Sequence, residues 1–197
     1  MQATLSPEKT SALKVSDDVI KRAAKIRLVL MDVDGVMTDG KLFYHPGADG
    51  VMYETKGFNS HDGIGLHLAY AAGIATGLIS GRTSPGTVER ARILNMKYVY
   101  QGLLDKEETY EDVLKDAGLQ AEQTAFIGDD FTDCRLMMRS GLGVAVANAR
   151  SEVREVAHYV TTARGGEGAV REVMEVIFQA QGLWPDMLAK YGLESAL

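Results

Sequence analysis

Four short segments carry side chains that could do chemistry together: Asp32-Val-Asp34-Gly35, Ser80, Lys106, and Gly128-Asp129-Asp130 with Asp133 three residues on. Each is weak alone. A pair of aspartates at a strand end is usually solvated, a serine after a strand is usually a turn residue, and acids before a helix often cap it. Taken in this order within one α/β domain, they supply the parts of a metal-dependent phosphoryl transfer. A hard cation such as Mg²⁺ takes oxygen ligands and is held by one or two carboxylates plus substrate phosphate. Asp32 and Asp129, on neighbouring strands, are the candidate carboxylates, with a backbone carbonyl near Asp34 as a third ligand. Lys106 and the Ser80 hydroxyl would then meet phosphate oxygens, where charge is spread in the transition state.

The elements that must position these groups are legible in outline. Ile26 to Met31 is a short apolar run with one arginine, read as a buried strand that delivers Asp32 and Asp34 at its carboxyl end. Further strands are predicted at Ile74–Ile79, Tyr98–Tyr100, Thr124–Ile127, Gly143–Val146 and Tyr159–Val160. Helices are predicted at Asp17–Lys25, capped by Ser16, and at Asp62–Ala72, Pro85–Leu94, Lys106–Ala117, Cys134–Arg139, Ser151–Val156 and Glu167–Gln181. Strands alternating with helices over short connections imply an α/β, doubly wound, mostly parallel sheet of Rossmann-like type. Such sheets bind ligands outside the carboxyl ends of their strands. Leu42–Tyr44 and Val51–Thr55 flank turn residues His45–Gly50 and read as a β-hairpin inserted after the first strand. Residues 1–25 are expected as an arm and short helix, 26–181 as the catalytic domain with its hairpin at 41–56, and 182–197 as a tail.

Composition narrows the class further. The chain has 197 residues, 46% hydrophobic and 24% charged, ordinary for one globular domain. Its 21 basic and 27 acidic side chains give a formal charge of −6, which argues against nucleic acid or an anionic membrane as partner. A single cysteine, Cys134, excludes an internal disulfide framework and a cysteine zinc cluster, and reads as a small core residue. No run is long enough for a membrane span and no signal-peptide core is evident, so a cytoplasmic setting is expected. The four histidines lack zinc spacing, and Gly63-x-Gly65 lacks the preceding parallel strand of a dinucleotide fingerprint.

The motif order D-V-D-G-V (Asp32–Val36), I-S-G-R (Ile79–Arg82), Lys106 and G-D-D-x-x-D (Gly128–Asp133) resembles the haloacid dehalogenase superfamily of aspartyl phosphatases. The resemblance implies Asp32 as nucleophile, Asp34 as general acid and base, and Ser80 and Lys106 as phosphate ligands. It also implies a Mg²⁺ site at Asp32, Asp34 and Asp129, with Asp130 and Asp133 as supporting residues. With only the hairpin inserted, the chain resembles the branch without a cap domain. From Ile26 to about Gly182 it resembles, within that branch, the 3-deoxy-D-manno-octulosonate 8-phosphate phosphatases of lipopolysaccharide synthesis. The carriers are D-V-D-G-V-M-T-D-G, F-N-S-H-D-G-I-G (Phe58–Gly65), Y-Q-G (Tyr100–Gly102) and G-G-E-G-A-V-R-E (Gly165–Glu172).

That resemblance implies a small anionic sugar phosphate as substrate and a homotetramer assembled through the hairpins. Each C-terminal segment would reach a neighbouring site, so the tail with Trp184 is read either as such an arm or as a packed terminus. Asn59, His61, Asp62, Gly63, His67, Arg82, Arg90 and Lys106 are the implied substrate-binding positions. Asn59, His61 and Asp62 are expected to form a substrate loop, and Gly165–Gly168 a mobile segment that helps close the site. Two departures stand out. His61 and Glu167 occupy positions where the octulosonate enzymes commonly have arginine, as some do at the His67 position, and histidine cannot supply arginine's bidentate fork. Phosphatases of nine-carbon keto-deoxy sugar acids share the scaffold and can have glutamate at the second position. A nine-carbon acid phosphate or a broader set of sugar phosphates is therefore the alternative substrate. A non-catalytic sugar-phosphate-binding protein is the alternative of a different class.

Overall fold

The computed structural model describes residues 15–193. The expected N-terminal arm thus falls almost wholly outside the described residues. Strand β1 (Leu28–Met31) is buried along its whole length. Its lack of alternation has a plain cause, since a strand covered on both faces needs apolar side chains on both. An exposed antiparallel ribbon follows, β2 (Phe43–Pro46) and β3 (Met52–Thr55). The other strands are β4 (Ala75–Ser80), β5 (Tyr98–Gln101), β6 (Thr124–Gly128), β7 (Leu142–Ala145) and β8 (Tyr159–Val160). With β1 they form a six-stranded sheet in the order β5-β4-β1-β6-β7-β8, every neighbour parallel.

The chain winds outward from β1 through β4 to β5, then returns beside β1 and winds the other way through β6, β7 and β8. This is the doubly wound order, and its direction reverses between β1 and β6. The crevice at the carboxyl ends of those two strands is where such sheets bind ligands. Register aligns them there: Met31 pairs with Ile127, and the Asp32 amide donates to the Ile127 carbonyl at 3.0 Å. Asp32 and Asp129 therefore emerge side by side.

The helices are α1 (Asp17–Ala23), α2 (Ser60–Ala71), α3 (Pro85–Ile93), α4 (Glu107–Ala117), α5 (Cys134–Arg139), α6 (Ser151–Val156), α7 (Ala169–Ala180) and α8 (Trp184–Ala189). Ser16 caps α1 by accepting from the Val19 amide. Helix α7 packs on α2 and α1, whereas α5 packs on α4, α6, β6 and β7. Among the described residues the ribbon is the sole β insertion between β1 and β4, and there is no cap domain.

Two local readings differ from the sequence. The ribbon's turn is shorter than His45–Gly50, because His45 and Pro46 lie in β2, with Pro46 opposite Met52. A proline is tolerated where a two-stranded ribbon leaves its outer edge unpaired. The last long helix begins at Ala169 rather than Glu167, because Gly168 adopts φ +106°, outside the helical region. The tail, read either as an arm or as a packed terminus, lies in its first part against its own chain, where Trp184 stacks on Phe178 with ring centroids 6.5 Å apart. Residues 194–197 lie outside the described residues.

Candidate active site

Carboxylate oxygens of Asp32, Asp129 and Asp133 lie within 4.8 Å of one another at the ends of β1 and β6. One cation faces them. Lys106, 2% exposed at the start of α4, places Nζ 2.7 Å from Asp133 Oδ1 and 3.1 Å from Asp32 Oδ1. Asp133 is fully buried, and its other oxygen accepts from the amides of Asp129 (3.0 Å) and Asp130 (3.3 Å). It therefore fixes both the lysine and the loop after β6, the supporting role expected of it. By contrast, Asp129 Oδ1 is buried with no hydrogen bond, and Asp32 Oδ1 faces only the Lys106 ammonium.

Three carboxylates against one ammonium leave an excess of negative charge in a desolvated place. Burial, and then the Asp133 charge, raise the Asp32 carboxyl to about 6. Burial, followed by the charges of Asp133 and Asp32, raises Asp129 to about 8. Burial lowers the Lys106 pKa, but the Asp133 and Asp32 carboxylates outweigh it, so the net direction is up. Oxygen-only donors, an unpaired buried oxygen on Asp129 and an excess of negative charge together suit a hard divalent cation. Gly35, at φ +94°, shapes the place, because a Cβ there would lie 2.1 Å from Asp129 Oδ2.

The Asp34 side chain points elsewhere. Lys56, just after β3, reaches its two oxygens at 2.7 and 2.9 Å with a side chain only 1% exposed. Arg82 lies beyond, Nε 3.6 Å from Asp34, with Nη2 on Glu54 and on the Tyr44 hydroxyl. Asp34 thus stands outside the acidic cluster by its carboxylate, which leaves its backbone carbonyl as the expected metal ligand. Sequence reading missed Lys56, because a lysine after an exposed hairpin carries no signal beyond that of a solvated charge.

Ser80 closes β4, 2% exposed, with its Oγ 3.4 Å from the Arg82 amide. The expected substrate loop is instead the first turn of α2. Asn59 is its N-cap, accepting from the amides of His61 and Asp62, while its Nδ2 donates to Gly166. Asp62 is 3% exposed and accepts from the Arg171 amide at 2.8 Å. Arg90 donates to the Asn59 carbonyl, and a Cβ on Gly63 would meet its Nη2 at 2.4 Å. These four groups are engaged inside the protein. His61, His67 and Arg82 remain exposed. His61 and His67 sit six residues apart on α2, about 240° around it at 100° per residue, and so do not share a face.

Gly165–Gly168 is packed in its first half rather than standing free. A Cβ on Gly165 would lie 1.7 Å from the Gly35 carbonyl oxygen, so only glycine lets the two backbones meet. Asn148 Nδ2 donates to the Gly35 carbonyl and its Oδ1 accepts from Gly165, while the Gly166 amide donates to Val36. Glu172 anchors the segment from α7, accepting from the Tyr159 and Thr162 hydroxyls and the amides of Thr162 and Ala163. Asn148 carried no sequence signal, because its role depends on a contact with a loop over a hundred residues away in the chain.

Residues 87–174 match the family model of haloacid dehalogenase-like hydrolases. Over 167 residues, 85% of this chain and 87% of the other, the sequence is 45% identical to the 3-deoxy-D-manno-octulosonate 8-phosphate phosphatase of Yersinia pestis. The chain belongs to the haloacid dehalogenase superfamily. It is an enzyme of the phosphoric monoester hydrolase class. A solved structure of that phosphatase from Yersinia pestis superposes with a TM-score of 0.81 at 44% identity, covering 86% of this chain and 89% of that one. The same phosphatase from Moraxella catarrhalis, solved with a magnesium ion, a phosphate ion and a KDO molecule, gives 0.84 at 36% identity, with 88% and 98% covered. No described helix is long and apolar enough to cross a membrane.

Proposed function

We propose that this enzyme hydrolyses 3-deoxy-D-manno-octulosonate 8-phosphate to the free sugar acid and phosphate, in cytoplasmic lipopolysaccharide precursor synthesis. The observation that carries the reaction is the Asp32 carboxylate, largely buried at the end of β1 with its Oδ1 3.1 Å from the Lys106 ammonium. The substrate is supported by the relatives that act on this phosphate and by the Moraxella complex with KDO and phosphate. The phosphatase unit spans residues 26–181.

In this reading Asp32 attacks phosphorus and forms an aspartyl-phosphate. Asp34 protonates the departing sugar alkoxide, then takes a proton from the water that hydrolyses the intermediate. Ser80 and Lys106 hold the phosphoryl oxygens. Asp32, Asp129 and the backbone carbonyl of Asp34 would hold Mg²⁺, which when bound supplies positive charge for the transferred group. Of the residues proposed for the sugar, His61, His67 and Arg82 are exposed for contact. Asn59, Asp62, Gly63 and Arg90 would act by shaping the start of α2.

His61 and Glu167 favour a second substrate reading, the nine-carbon acid phosphate, because both are exposed and neither is arginine. Phosphate release from the eight-carbon and nine-carbon acid phosphates and from hexose phosphates, with Mg²⁺ and then with EDTA, decides between them. Preference for the eight-carbon acid is expected, with loss of activity in EDTA. Preference for the nine-carbon acid would make His61 and Glu167 the specificity positions.

A further inference from the structure

Lys56 is the most deeply buried part of an otherwise exposed ribbon. All of β2 is exposed, and so is β3 apart from Glu54. The Lys56 side chain nonetheless runs inward to 1% exposure. An ammonium leaves water only for partners that repay its lost hydration. Its main partner is Asp34, gripped at both oxygens. Glu54 Oε1 lies 3.5 Å away, and Arg82 completes a set of two cations and two anions. The set joins the nucleophile loop, the ribbon and the end of β4.

We propose that Lys56 is a positioning residue for Asp34, through which the ribbon sets the orientation of the acid–base group. This rests on the reading of Asp34 as general acid and base. A carboxylate with one ammonium 2.7 and 2.9 Å from its two oxygens cannot rotate freely about its terminal torsion, which is otherwise broad. Lys56 thereby holds the Asp34 carboxylate turned from the acidic cluster and free of the excess negative charge there. The ribbon, exposed on its outer surface, thus has an inner function in the reaction itself.

The test compares the release of two leaving groups in a single turnover, before the water step common to both: the sugar of the best phosphate in the substrate panel, and 4-nitrophenolate, which departs without a proton. Lys56→Met is expected to slow release of the sugar by about a hundredfold, the low end of a general acid's worth. Substrate affinity should hold, and the single-turnover release of 4-nitrophenolate should change little. Added to Asp34→Asn, Lys56→Met should cost nothing further, since positioning has no effect once its target is gone. Equal loss on both substrates, or additive losses in the double variant, would overturn the proposal. Should Lys56→Met fail to fold, Lys56→Gln, which keeps a donor and loses the charge, is read in the same way. Asp34→Asn alone must itself slow the sugar phosphate far more than the aryl one. If it does not, the acid–base reading of Asp34 falls and Lys56 with it. A selective Asp34→Asn beside an unselective Lys56→Met overturns the Lys56 role alone.

Discussion

Asp32 is the residue on which the proposed reaction turns. Asp32→Asn is nearly isosteric and removes the nucleophilic charge, so turnover should fall at least about a thousandfold while the fold persists. Circular dichroism and phosphate release check the two halves. Lys106→Ala leaves the buried Asp133 and Asp32 facing each other without a cation, a loss expected to cost about 3–5 kcal/mol, read as a lowered Tm as well as lost activity. The raised carboxyls give a pH signature. Asp129, at about 8, and Asp32, at about 6, bind protons in the folded, cation-free protein that the unfolded chain releases near 3.8. The native state then carries more protons between roughly pH 4 and 8, so its stability falls as pH rises through that window. Mg²⁺ would displace those protons and bind more tightly as pH rises. Thermal melts with EDTA and with Mg²⁺ should show the larger Mg²⁺ stabilisation at the upper end of the window.

At the scale of elements, the segment after β8 works as a strap across the loop after β1. Its anchor is Glu172, which accepts four hydrogen bonds from residues 159–163. Glu172→Ala would remove the acceptor of the Tyr159 hydroxyl and of the Thr162 and Ala163 amides, at about 1–3 kcal/mol for each group that water does not reach. Asn148→Ala breaks the link between Gly35 and Gly165 and should lower kcat more than it lowers Tm. Kinetics and melting of the two variants, measured side by side, check the contrast. Equal losses in both would show Asn148 to be only a structural tie.

For the whole molecule, the ribbon raises a question that one chain cannot answer energetically. Phe43, Tyr44, Met52 and Tyr53 are each at least half exposed. An apolar, two-faced ribbon of this kind marks an interaction surface, which supports the proposed homotetramer. Light scattering of the intact enzyme should give four chains. Phe43→Glu with Tyr53→Lys should reduce it to smaller species, whereas a monomeric wild type would refute the assembly.

Much of this protein was legible in the one-dimensional pattern. Short apolar strands between amphipathic helices determined the α/β class, because backbone pairing and burial act on local periodicity. Asp32, Asp34, Ser80, Lys106 and Asp129 stood at predicted strand or helix ends, since the winding of such a sheet places its chemistry there. Tertiary structure decided the rest. It took the Asp34 side chain out of the acidic cluster and onto Lys56, because an unpaired charge could not be buried there and a lysine lay within reach. It placed Asn59 and Asp62, expected in a substrate loop, at the cap of α2 and against the Arg171 amide, since helix ends must satisfy their amides. It also packed Gly165 onto Gly35, a meeting of backbones that no local pattern encodes. Sequence determined which groups stand at the strand ends; only the folded chain decided which charge neutralises which.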